Sequence, residues 1–179
     1  MADPVQSGKL ILRLAAAEDV EAVMQVIWRV VPRMQAAGNM QWNEHYPGAE
    51  VFLQDVRRGE LWLAVDACGE VQKVVGVATF AKSPSPEYAD VGWDLSLPAL
   101  VLHRLAVDPE AQGKGIARAL LIHAEAEARR QGVDRIRLDT NTQNVAMRSL
   151  LEKLGYAYAG EISLHGREGL RFCCYEKLL

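Results

Sequence analysis

The stretch from Val107 to Gln131, with the strand that leads into it, constrains this chain more than any other. Val101-Leu102-His103-Arg104-Leu105-Ala106-Val107 is an apolar run of strand length. Asp108-Pro109-Glu110-Ala111 carries turn chemistry, and Gln112-Gly113-Lys114-Gly115-Ile116-Ala117 follows it. From there Ile116, Leu120, Ala124 and Ala128 return at every fourth position, which is one face of a helix, and Gly132 is a fitting stop. The order is therefore strand, glycine turn, helix. Gly113 and Gly115 have no Cβ, so a ligand can come close to the backbone. Free N–H groups at a helix start, the positive end of its dipole and the charge of Lys114 all favour an anion, which points to a phosphate or pyrophosphate. The spacing is neither the dinucleotide fingerprint nor the P-loop. Taken alone, the two glycines also suit a tight strand-to-helix turn that binds nothing.

The rest of the chain supplies the frame. Lys9–Leu14 reads as a first strand, and Val20, Val23, Met24, Ile27, Val30 and Val31 give helical spacing that Pro32 should kink or end. Ala49–Arg57 reads as a second helix with Phe52, Leu53 and Val56 on one side. Leu61–Val65 and Val74–Phe80 are expected to pair antiparallel, and Ser83–Pro98, rich in proline, should be a long loop over one edge. Asp134–Thr140 alternates as a strand. A helix from about Val145 puts Met147, Leu150, Leu151 and Leu154 on one stripe, and Gly155 stops it. Ala157–Leu164 and Leu170–Lys177 form a closing hairpin. This is a mixed α+β pattern, and 179 residues suit one domain over 1–179.

Composition narrows the function classes. A net charge of −3 gives no basic footprint for a nucleic-acid partner. No apolar run has membrane-spanning length, and Met1–Gln6 lacks the basic and apolar regions of a signal peptide. Cys68, Cys173 and Cys174 show no metal-ligand spacing, so no metal is expected. Free thiols and the absence of a leader point to the cytoplasm.

Two motifs then carry a resemblance. Gln112–Ala117 looks like the Q/R-x-x-G-x-G/A motif of the GNAT superfamily of acyl-CoA-dependent N-acyltransferases. Asn144, with Leu150-Leu151-Glu152-Lys153-Leu154-Gly155-Tyr156, resembles that superfamily's N-x-x-A-x-x-L-Y-E-K-x-G-F segment. The resemblance implies a GNAT fold, with a central, mostly antiparallel sheet whose parallel fourth and fifth strands splay apart between helices on both faces. It also implies acetyl transfer from acetyl-CoA to a primary amine by direct attack on the thioester. Leu105, Ala106 and Val107 would offer backbone groups to the pantetheine arm and the thioester carbonyl. Gln112, Gly113, Lys114, Gly115, Ile116 and Ala117, with Arg118 alongside, would hold the pyrophosphate. Asn144 would bond the pantetheine, and an Asn there also suits a helix N-cap.

His103 is the titratable group of most interest. Strand alternation puts positions 101, 103, 105 and 107 on one face, with Arg104 turned away into a structural ion pair. His103 resembles a strand-four histidine of the arylalkylamine N-acetyltransferase branch, which implies proton removal from the amine; the bland alternative is a partly buried, hydrogen-bonded His. Leu151 stands where the superfamily often has the Tyr that protonates the leaving thiolate, and Leu cannot donate a proton. Gln41, Trp42 and Tyr46 could line the acceptor pocket or simply anchor a loop, and Glu44 or Asp94 could recognise a cation. The expected acceptor is a small-molecule amine, with a protein N-terminus or lysine as the alternative, and a non-catalytic acyl-CoA-binding module as the rival from another class. The protein is expected to be a monomer or homodimer.

Overall fold

The structure, a computed structural model, describes residues 10–179. Lys9 of the first expected strand and the Met1–Gln6 stretch lie outside the described residues. A seven-stranded sheet runs in the order β1-β2-β3-β4-β5-β7-β6. Its strands are β1 (Leu10–Leu14), β2 (Leu61–Asp66), β3 (Lys73–Ala81), β4 (Leu100–Val107), β5 (Arg135–Asn141), β6 (Ala157–Ile162) and β7 (Phe172–Leu178). The helices are α1 (Val20–Ala36), α2 (Ala49–Arg57), α3 (Ile116–Arg130) and α4 (Val145–Lys153). All neighbouring strands are antiparallel except β4 and β5, which are parallel.

Each face of the sheet buries its own core. Val23, Ile27 and Val30 of α1 and Phe52 of α2 pack on Leu61, Leu63 and Val77. On the other face Ile116, Leu120, Ala124 and Ala128 of α3, the four residues of the sequence stripe, join Leu151 of α4 against Leu100, Leu102 and Ile136. The start of α3 is seated on Gly76, where a Cβ would come within 2.8 Å of the Ile116 side chain.

Of the two outcomes expected at Pro32, an end to the helix is not seen: α1 runs on to Ala36. Pro32 and Trp28, whose carbonyl it cannot bond, are both exposed, and water can serve the unpaired group there. The Ser83–Pro98 segment is more than an edge loop. It contains a 3-10 turn at Pro86–Val91, and its buried Tyr88 forms a small third core with Val101, Ile162 and Phe172. It therefore covers the β6–β7 side of the sheet with apolar contacts of its own.

Candidate functional site

Parallel pairing of β4 with β5 ends early. Leu100, Val101 and Leu102 pair with Ile136, Arg137 and Leu138, and the strands diverge beyond that point. The edge of β4 that faces β5 is thus left without a strand partner along Leu105–Val107, while its other edge stays bonded to β3. A cavity of about 350 Å³ opens in this gap, lined by Leu102–Leu105 from β4, Leu138–Thr140 from β5, Asn144 just before α4 and Met147 within it.

The alternation expected for β4 does not survive. Arg104 has φ of 52°, a left-handed conformation rare outside glycine, and the β3–β4 register slips by one residue beside it. Leu100 and Leu102 face α3 before this bulge; Leu105 and Val107 face α3 after it, while Val101 and Ala106 lie on the opposite face. Positions 101, 103, 105 and 107 therefore do not share one face. Nor does Arg104 turn away from His103, since both line the cavity. The ion pair itself is present. Arg104 Nε and Nη2 donate to the two carboxylate oxygens of buried Asp55 at 2.9 Å each, and the Thr79 hydroxyl donates to the same carboxylate at 2.7 Å. This bidentate clamp supports the left-handed backbone at Arg104.

His103 pairs across the sheet with Thr79 and is half-buried. Burial and then the Arg104 charge push its pKa down to about 4, against a hydrogen bond with the Ser83 backbone that works in the opposite direction. The imidazole is neutral at pH 7.

The other sequence-selected residues fall into two groups. Gln41 and Tyr46 line the same cavity as His103, as does Trp42, which is also a core residue with 5% exposure. The anchoring and the pocket-lining expectations thus both describe Trp42. Gln41 Oε1 accepts from the Asn141 N–H at 3.1 Å. Asn144 caps α4, its Oδ1 accepting from the Met147 N–H at 3.3 Å and its Nδ2 donating to Thr140 at 3.0 Å, and it still faces the cavity. Glu44 and Asp94 do not line the cavity. Both are exposed, and Asp94 is bonded to Ser96.

The glycine turn lies beyond the cavity, at the start of α3. Gly113 and Gly115 have φ of 79° and 77°, and a Cβ on either would meet no atom within 4 Å. Gly115 is the N-cap of α3 with no side-chain cap, so the first N–H groups of the helix stay available to a ligand. Gln112, Lys114 and Arg118 are exposed around them, whereas the Ile116 side chain belongs to the core and can contribute only its backbone. The turn before the glycines is pinned by buried Asp108, which accepts from the Glu110 N–H at 3.0 Å and from Arg29 Nη2 at 2.8 Å. These surroundings fit a diphosphate, which needs backbone donors, positive charge and room.

Sequence reasoning missed Asp139, Glu87 and Arg167, which also line the cavity. Asp139 carried a faint signal, as a carboxylate next to Leu138 at the end of an otherwise core-bound strand. Glu87 and Arg167 sat in segments read only as connections, and nothing in their local pattern sets them apart.

The similarities to known proteins agree with this architecture. A family model described as Acetyltransferase (GNAT) family matches residues 23–156. The uncharacterized N-acetyltransferase YesJ of Bacillus subtilis (strain 168) is 24% identical over 155 residues, covering 82% of this chain and 81% of that protein. The crystal structure of a GNAT-family acetyltransferase from Streptococcus agalactiae superposes with a TM-score of 0.79 at 23% identity, covering 95% of each chain. The [ribosomal protein bS18]-alanine N-acetyltransferase of Escherichia coli (strain K12) is 38% identical, but over 60 residues only, 34% of this chain and 40% of that one. A mixed sheet split between β4 and β5, with a glycine turn at the head of the next helix, defines a GNAT fold. The chain belongs to the acetyltransferase (GNAT) family.

Proposed function

We propose that this protein transfers the acetyl group of acetyl-CoA to the primary amine of a small molecule, without a covalent enzyme intermediate. The observation that carries the reading is the gap between β4 and β5. Its cavity is closed in by Gln41, Trp42 and Tyr46, by Ser85 and Glu87, and by Leu164, His165 and Arg167, a shape suited to a small acceptor rather than a folded protein surface. An agmatine N-acetyltransferase shares the fold at a TM-score of 0.70 and 16% identity, which is in keeping with an amine acceptor.

In this reading Gly113–Ala117 hold the pyrophosphate with backbone N–H groups, with Gln112, Lys114 and Arg118 around it. The open edge of Leu105–Val107 pairs with the pantetheine arm, and Asn144 offers its remaining hydrogen-bonding capacity to the same arm. Acetyl-CoA supplies the thioester, whose carbonyl carbon the amine attacks as the C–S bond breaks. Of the three protons on the bound ammonium, one passes to solvent water before attack, one is matched to the departing thiolate, and one stays on the amide. His103, neutral at pH 7 with a pKa of about 4, is too weak a base to keep the first proton, so it serves to hold the amine or a relay water. Leu151 is fully buried in the α3-side core and gives the thiolate nothing. A thiol of pKa about 8.5 is a fair leaving group and can take its proton from water.

The test is CoA release from acetyl-CoA over a panel of small amines, lysine-containing peptides and peptide N-termini. Release above background with small amines supports the reading. A preference for peptides moves the acceptor to proteins. Tight CoA binding with no release on any acceptor makes the protein a binding module.

A further inference from the structure

Three charged side chains line the cavity without an ion-pair partner among the described residues, Glu87, Asp139 and Arg167, and of these Asp139 and Arg167, of opposite sign, have the fewest hydrogen bonds. Asp139 is half-buried in the wall, and its one hydrogen bond comes from the Tyr88 hydroxyl to Oδ1 at 2.6 Å. Its burial raises its pKa, while Arg167 lies near enough to act in the other direction. Arg167 forms no ion pair with it. Its Nη1 donates to the Gln41 carbonyl at 2.6 Å, and its guanidinium carbon stands 3.9 Å from the centre of the Tyr46 ring. These contacts fix the plane of the guanidinium and leave most of its donors unused.

The other charges on the wall are more fully bonded. Arg104 is clamped by Asp55, and Glu87 accepts from the Ser85 hydroxyl and from the His165 N–H at 2.9 Å. A charge held partly out of water is costly until a partner reaches it. Asp139 and Arg167 line one small cavity without pairing to each other, and a ligand that carries both signs satisfies both.

We propose that the acceptor is a zwitterionic amine, an amino acid, whose ammonium is received at Asp139 and whose carboxylate is gripped by Arg167. The planar fork of Arg167 suits a carboxylate, which it can bond with two parallel N–H groups. The inference rests on the acetyl-transfer reading only for what happens to the bound amine, not for its recognition.

The experiment compares amino acids of increasing ammonium-to-carboxylate spacing with their carboxamides, using CoA release by the full chain. At the best spacing the acid should exceed its carboxamide about 10- to 100-fold in kcat/KM, the worth of a hydrogen bond to a charged group. Arg167→Met should bring that ratio close to one, and Arg167→Lys should restore part of it. Asp139→Asn should raise KM for the acid and the carboxamide alike. A wild-type ratio near one at every spacing, or a ratio that Arg167→Met leaves intact, overturns the proposal while acetyl transfer stands. If no amine releases CoA, calorimetry of the amino acids alone decides. Binding lost in Arg167→Met supports the zwitterion site even as the acetyltransferase reading falls, and no binding to the wild type overturns it.

Discussion

At the Gln112–Ala117 turn every feature that matters comes from consecutive residues; in the cavity beside β4 the wall is gathered from the whole chain. The turn owes its shape to Gly113 and Gly115, both left-handed, and to the start of the helix they introduce. The cavity needs β4 and β5 to part, an arginine in a backbone conformation it disfavours, and Asp55 from α2 to hold that arginine. A local device of this kind tolerates change elsewhere and fails when one backbone position is altered. An assembled one fails when any of several distant contacts is lost, and its failure is first a failure of folding.

The contrast can be broken at either end. The largest effect is expected at Asp55→Ala, which strands the Arg104 guanidinium, 15% exposed, and removes the acceptor of the Thr79 hydroxyl. Breaking a buried pair of this kind costs about 3–5 kcal/mol. Urea unfolding measures it, and a loss under 1 kcal/mol would show that the bulge does not depend on the clamp.

Next comes His103. Its pKa of about 4 in the fold lies below the ordinary 6.5, so the unfolded chain takes up the proton more readily. Its stabilising contribution is therefore present above about pH 6.5 and is lost as the pH falls toward 4. Between pH 7 and 4.5 the wild type should lose about 2–3 kcal/mol more than His103→Gln. Equal losses would place the imidazole in water rather than in the wall.

Gly115→Val tests the turn. The substitution meets no neighbouring atom, but it forces a β-branched residue to φ of 77° and crowds the backbone donors. Affinity for CoA should drop by about 1.5–3 kcal/mol for each phosphate bond lost. Unchanged calorimetry with a folded variant would remove the phosphate from the turn.

The smallest effect is expected at Leu151→Tyr. A ring in place of a side chain with no exposure overpacks the core by about 1–3 kcal/mol. The rate should scarcely change, because water can protonate the thiolate. A large rate increase on the best amine would mean that thiolate departure limits the natural enzyme.

The sequence by itself determined the elements and the turn. The helical stripe from Ile116 to Ala128, the glycines, the stop at Gly132 and the cap at Asn144 are all local patterns, and each stands where its spacing put it. It also identified Gln41, Tyr46 and His103 as worth attention, though not the reason they meet. Strand alternation failed at Arg104 because it assumes a regular backbone. The positive φ there goes with a side chain held by Asp55, 49 residues earlier in the chain. Arg167 reaches the carbonyl of Gln41 across 126 residues, and Asp139 meets Tyr88 across 51. Such contacts depend on which strands lie side by side and where two of them part. Only the tertiary structure decides that, because the free energy of a buried charge is set by the partners that folding brings to it, not by its neighbours in the chain.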